Sequence, residues 1–166
     1  AWIFDADWWP GSWLLIPSCL CLWSTIWTYL RHEEVVRFQR GERGLRIVHV
    51  SDIHVSPTMQ QSDMMQLVNK INALKPDVVL NTGDMVMPFS ESNHDYLIAG
   101  LSKISAPVYC CMGNHDLPIQ EVLRSKLKKA GIPILIDEYE DTEINGVALR
   151  FIGLQFYWRS ARKKTL

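Results

Sequence analysis

Three short apolar runs, each ending abruptly in carboxylate, imidazole or amide groups, constrain this 166-residue chain more than any other feature. Residues 45–50 are rich in β-branched side chains and stop at Ser51-Asp52-Ile53-His54. Residues 77–81 repeat the pattern and lead into Thr82-Gly83-Asp84, and residues 108–112 lead into Gly113-Asn114-His115-Asp116. An apolar, β-branched run that ends in polar groups reads as a strand delivering those groups to its carboxyl edge. Asp52 and Asp84 are 32 positions apart, and Asp84 and Asn114 are 30 apart. Each interval is about the length of one strand-helix-strand unit of roughly 30 residues. Parallel strands joined by right-handed crossovers place all their carboxyl ends on one side, where open α/β sheets bind ligands. Asp52, His54, Asp84, Asn114, His115 and Asp116 are therefore expected to converge.

Carboxylate, imidazole and amide oxygen together suit divalent cations of intermediate hardness, with Mn²⁺, Fe and Zn²⁺ all compatible. In this order and spacing, Asp52-x-His54, Gly83-Asp84 and Gly113-Asn114-His115-Asp116 resemble the calcineurin-like metallophosphoesterases, over residues 45–153. The resemblance implies two divalent metal ions, Mn²⁺ first among them. Asp52 and His54 would hold the first, Asp84 would bridge both, and Asn114 would hold the second through its amide oxygen. It also implies that His115 protonates the leaving oxygen or stabilises charge on the phosphoryl group, while Asp116 orients the His115 ring. Two cations about 3.5–4 Å apart can share one carboxylate, polarise a phosphoryl oxygen and generate hydroxide for in-line attack.

This sequence departs from the family pattern in two places. Met85 stands where the family usually carries a second acid after Gly-Asp. No histidine follows His115, whereas the family pattern continues with further metal-binding histidines. The expectation is an amino-terminal part of an enzyme that is inactive alone.

A net charge of -1 gives no reason to expect nucleic-acid binding. The four cysteines, Cys19, Cys21, Cys110 and Cys111, match neither a disulfide framework nor a zinc site, which favours a reducing compartment. Residues 8–30 form an uncharged stretch of 23, enough to cross a hydrocarbon core that needs about 20 residues. Trp8, Trp9, Trp27 and Tyr29 at its ends read as interfacial belts of a membrane anchor, with a cleaved signal peptide or a hydrophobic hairpin as the alternatives. Asp5 and Asp7 precede this stretch, and Arg31, Arg37, Arg40, Arg43 and Arg46 follow it. The positive-inside rule then puts the catalytic part in the cytoplasm, at the inner membrane of a cell.

The expected fold class is α/β, a metallophosphoesterase-like mixed sheet flanked by helices, incomplete and preceded by a transmembrane helix. The expected divisions are a membrane anchor (1–30), a basic juxtamembrane linker (31–44), the metallophosphoesterase part (45–154) and a basic tail (155–166). Met64, Leu67, Val68, Ile71 and Leu74 predict a helix over the sheet. Further helices are expected over 93–104 and 118–130, the last bounded by Pro118 and Gly131. A fourth strand over 132–136 and an Asn145-Gly146 hairpin complete the reading. Met87, Pro88 and Phe89 are candidates for an apolar wall beside the metals. His49 is expected to face a helix layer, and His94 to lie on the surface at a helix start.

The function expected is metal-dependent hydrolysis of a phosphodiester or pyrophosphate bond in a phosphorylated small-molecule or lipid-linked substrate. The chain resembles most the bacterial branch that includes cytoplasm-facing pyrophosphatases cleaving UDP-2,3-diacylglucosamine in lipid A synthesis. Two alternatives stand beside it: a phosphodiesterase or phosphatase for soluble substrates, and a non-catalytic membrane scaffold with a partial phosphoesterase fold.

Overall fold

A computed structural model describes residues 15–30, 44–87 and 94–156. The chain divides into two units, residues 1–39 and 40–166. In the first unit the described element is helix α1 (Leu15–Leu30). At 1.5 Å per residue its 16 residues extend about 24 Å, short of a hydrocarbon core of about 30 Å. Among the described residues no helix is long and apolar enough to cross a membrane. Residues 8–14 of the expected span, the linker 31–43 and residues 157–166 of the expected tail lie outside the described residues.

The second unit is built on β1 (Ile47–Val50), β2 (Val78–Asn81) and β3 (Val108–Cys110), parallel and in the order β1-β2-β3. Helix α2 (Gln61–Ala73) joins the first two strands and α3 (His94–Leu101) lies between the next two. Because both crossovers step the same way across the sheet, a common right hand puts both helices on one face. A 3₁₀ turn (Leu117–Ile119) and α4 (Gln120–Lys129) follow, and α4 stops just before Gly131 as the sequence suggests. α2 opens with the Asp63 carboxylate accepting the Gln60 N–H at 2.9 Å, which satisfies a donor at a helix N-terminus.

Strand alternation sorts the core into two layers. Val48, Val50, Val79, Val108 and Cys110 pack with Met64, Val68 and Ile71 of α2, Leu97 and Leu101 of α3, and Leu123 and Leu127 of α4. Val78, Tyr109 and, less deeply, Leu80 face the other way and meet Leu135, Ile144, Leu149 and Phe151. This second layer is covered by the hairpin β4 (Glu138–Ile144) and β5 (Val147–Gly153), turned at Asn145-Gly146, both with positive φ as a tight hairpin requires.

Several expectations change. The hairpin forms its own two-stranded sheet and covers the parallel sheet instead of extending it. The fourth strand reduces to one parallel bridge, Cys110 to Ile134, because Pro133 has no N–H to continue a ladder. His49 lies on the face opposite Val48 and Val50, so it misses the helix layer, and its Nε2 lies 2.8 Å from Thr82 Oγ1. His94 is buried, 4% exposed, at the first residue of α3. Arg46, counted among the basic flank, donates to the Leu74 carbonyl at 2.7 Å and so closes the end of α2.

All four cysteines are free, and burial pushes the Cys110 thiol up to about 12. At pH 8 such a thiol has on the order of a thousandfold less thiolate than an ordinary cysteine. Iodoacetamide at pH 8 should therefore modify the exposed Cys19 and Cys21 and spare Cys110 until denaturant is added, as peptide mass spectrometry would show; labelling of native Cys110 at the rate of Cys19 would contradict this packing.

Candidate metal centre

Beyond the strands the backbone keeps pairing, and this places the side chains. The Thr82 N–H donates to Val50 C=O and the Cys111 N–H to Asn81 C=O, at 3.0 and 2.9 Å. Past the end of β1, the N–H groups of Asp52, His54 and Val55 donate to the carbonyls of Gly83, Asp84 and Met85, at 3.1, 3.0 and 2.9 Å. The first two loops thus run as a knotless extension of the β1–β2 pair. Three residues of this extension adopt left-handed backbone: Asp52 (φ 55°), His54 (φ 48°) and Asp84 (φ 52°). Aspartate and histidine are among the few non-glycine residues that enter this region readily, and it still costs about 1–2 kcal/mol each. Strain of this kind gathers where a surrounding lattice holds side chains for a task.

The second and third loops touch backbone to backbone. A Cβ on Gly83, itself at φ 101°, would fall on Gly113 N, and one on Gly113 would fall on the Asp84 carboxylate, both far inside the 3.0 Å that real Cβ contacts respect. Only a residue without a Cβ fits at either position.

Asp116 locks these two loops. It is fully buried, its Oδ1 accepts the N–H groups of Met85 (2.9 Å) and Val86 (3.1 Å), and its Oδ2 accepts that of Gly113 (2.9 Å). Burial pushes its pKa up, while the amides of Gly113, Val86 and Met85 pull it down. The carboxylate is engaged with three backbone amides, and so sets the distance between the loops. Met85, the departure from the family's second acid, is wholly buried in the core, where an acid would be costly.

What the lattice presents is a donor set. His54, Asp84 and His115 each offer one ligand atom, all within 4.8 Å of one another. The two imidazoles meet edge to face, ring centroids 4.9 Å apart. Asp84 is oriented by the His115 N–H, which its Oδ1 accepts at 2.9 Å. Asp52 stands beside this group, its Oδ1 3.5 Å from His54 Nε2. The Ser51 hydroxyl donates to Asp52 and holds its carboxyl below the usual range, with His54 and His115 adding to the effect. Asn114 lines the same open cleft as Asp52 and Asp84, a space of about 540 Å³.

The set fits a divalent cation. Imidazole and carboxylate are ligands for Mn²⁺, Fe and Zn²⁺, and His54 Nδ1 is buried without a hydrogen-bond partner among the described residues. An orphaned buried ring nitrogen is costly unless something absent from the protein satisfies it. The sequence brought Asp52, His54, Asp84 and Asn114 together as ligands but kept His115 apart as a proton donor; the structure places its ring within the donor group.

Some cleft residues were not read from the sequence. Ser51 and Thr82 line it, and so do Leu154, Gln155 and Phe156 from beyond β5. No local pattern marks the last three, because their position depends on the hairpin returning to this side of the sheet. Of the apolar wall expected from Met87, Pro88 and Phe89, Met87 is not among the lining residues. Pro88 and Phe89 lie outside the described residues.

Removing the Asp116 carboxylate leaves two buried N–H groups and one half-buried one unsatisfied, a loss of about 3 kcal/mol. Asp116→Ala should lower the thermal midpoint by roughly 10 °C or more, measured by circular dichroism. An unchanged midpoint would remove Asp116 from its place as the lock between loops.

Comparisons with known proteins agree with this geometry. The calcineurin-like phosphoesterase family matches residues 45–159. A UDP-2,3-diacylglucosamine pyrophosphatase of Chlamydia muridarum is 33% identical over 75 residues, 44% of this chain and 23% of that protein. An Escherichia coli phosphodiesterase is 27% identical over 118 residues, 68% of this chain and 44% of its own length. An uncharacterized metallophosphoesterase of Aquifex aeolicus is 32% identical over 142 residues, 80% of this chain and 52% of its own. The match to the Chlamydia protein spans under a quarter of that relative's length. With the family's pattern covering the sheet and all three strand-end loops, this chain belongs to the calcineurin-like phosphoesterases.

Proposed function

We propose that this chain carries metal ligands of a phosphoesterase that cleaves a phosphodiester or pyrophosphate bond at the cytoplasmic face of a membrane, with UDP-2,3-diacylglucosamine as candidate substrate. The observation that carries the reading is the convergence of His54, Asp84 and His115 within ligand distance at the carboxyl edge of a parallel sheet.

Asp52, His54, Asp84 and Asn114 are the proposed ligands of two divalent cations, Mn²⁺ in the first instance. Bound there, the cations supply Lewis acidity toward phosphoryl oxygens and hydroxide at neutral pH. The residues of the chain do the rest. Asp84 keeps one oxygen on the His115 N–H, which fixes the carboxylate before substrate arrives. His115 donates a proton to the departing oxygen from within the same cluster. Asp116 holds the loops at the spacing the ligands need, and the Ser51 hydroxyl donates to the Asp52 carboxylate.

Two features support membrane attachment and a lipid-linked substrate. α1 carries no charge and exposes Leu15, Ile16, Leu20, Leu22, Trp23, Ile26 and Trp27. At 100° per residue these seven fall on about half of its circumference, a face suited to lying in lipid. The similarity to the Chlamydia pyrophosphatase points to the same substrate class.

With Mn²⁺ in detergent, turnover of bis-p-nitrophenyl phosphate is expected from a form that also carries the family's later metal-binding histidines, and Asp84→Ala in that form should lower it at least a hundredfold. Equal rates in the variant, or no metal-dependent turnover in either, would refute the assignment. Turnover of a soluble nucleotide diester with no gain from a lipid tail would favour the soluble-substrate phosphodiesterase instead.

A further inference from the structure

β2 ends in a residue that its surroundings do not call for. Asn81 is the last position of that strand and 2% exposed, paired with Val50 on β1 and Cys110 on β3, both part of the helix-facing layer. A strand buried in a parallel sheet ordinarily continues apolar at such a position. The carboxamide standing there is half satisfied. Its Oδ1 accepts the Gly83 N–H at 3.0 Å, while Nδ2 is buried with no hydrogen-bond partner among the described residues. An unsatisfied buried donor costs stability, so the side chain is explained by what its oxygen does.

That oxygen acts where the backbone is freest. An asparagine that accepts from the N–H two residues on bends the chain locally, and here the donor is Gly83, at φ 101° and pressed against Gly113. Glycine has the widest choice of backbone angles, so the direction in which the chain leaves Gly83 depends on what holds its polar groups. Asn81 holds the N–H. The Gly83 C=O accepts the Asp52 N–H at 3.1 Å, and the residue that follows is Asp84. Asp116 fixes the amides of Met85 and Val86, just after Asp84, and Asn81 fixes the amide just before it. The left-handed backbone of Asp84 is thus imposed from both sides. The Asn81 carbonyl adds a tie to the third loop by accepting the Cys111 N–H at 2.9 Å.

We propose that Asn81 is a positioning residue for the metal centre: through its hydrogen bond from the Gly83 N–H it sets the direction of the Asp84 carboxylate and, by way of the Gly83 carbonyl, the place of Asp52. This rests on Asp52 and Asp84 being metal ligands of the phosphoesterase proposed above, and adds a residue that is not itself a ligand. Groups that orient ligands from behind are typically worth roughly 10- to 100-fold in metal affinity.

The test is calorimetric titration of the chain with Mn²⁺, before and after substitution at Asn81. Asn81→Ala removes the acceptor and should weaken Mn²⁺ binding about tenfold or more. Asn81→Ser leaves nearly the same reduced volume and also lacks the unsatisfied N–H groups, but its hydroxyl can accept from the Gly83 N–H as serine does in turns of this kind. Serine should therefore recover most of the lost affinity. A side chain that only filled space would make serine and alanine alike, so the difference between them separates positioning from packing. Asn81→Val, apolar and at home in a strand, replaces the alanine variant where that one does not fold, and should bind as weakly. Circular dichroism at the temperature of the titration reports that each variant is folded. Full affinity in the alanine or valine variant, or serine no better than either, would overturn the positioning role and leave the metal centre standing. No Mn²⁺ bound by the unmodified chain would overturn both.

Discussion

A single buried carboxylate fixes the geometry on which everything else in the metal centre depends. Asp116 accepts hydrogen bonds from Met85 and Val86 on one loop and from Gly113 on the next, while Gly83 and Gly113 let those loops touch. Separately, neither loop has a reason to hold a left-handed aspartate in place. Together they turn Asp84 toward the His115 amide and put its carboxylate within ligand distance of two imidazoles. The cost of burying Asp116 is met by three amides that would otherwise be unsatisfied, so lock and lattice are stable only as a unit.

Another aspartate works at the amino-terminal end of the same sheet. Asp77 accepts from the Arg46 N–H and from Asn145 Nδ2, both at 2.6 Å, joining the approach to β1, the start of β2 and the hairpin turn. The sheet is therefore tied at one end to the element that covers it and at the other to the loops that carry the chemistry. Between the ties lie two apolar layers, and the strands need only be three or four residues long because neither end is free to fray.

Much of this was legible in the sequence, for identifiable reasons. Strand ends could be read because β-branched runs stop at polar residues, and their spacing of about 30 residues leaves one crossover between them. Asn145-Gly146 announced its hairpin because few sequences accept two successive positive φ angles. What could not be read was tertiary. Asp116 looks from the sequence like a partner for the residue beside it, whereas its real partners are 30 and 31 positions away and at Gly113. His94 and His49 exchanged their expected environments because burial depends on which layer covers a face. Leu154 and Phe156 have no signature at all, since only the path of the hairpin brings them to the cleft. The expected transmembrane span rested on composition, and its described part is the 16-residue α1.

The central claim is that the strand-end loops assemble a metal centre on Asp52, His54, Asp84 and Asn114, with His115 beside it as proton donor. Pulsed electron paramagnetic resonance of the chain titrated with Mn²⁺ tests it directly, because a coordinated imidazole couples its nitrogen to the metal's unpaired electrons. The account predicts nitrogen coupling from one imidazole, lost in His54→Ala and kept in His115→Ala. Bound Mn²⁺ with oxygen ligands alone, or a coupling that survives His54→Ala, would contradict it.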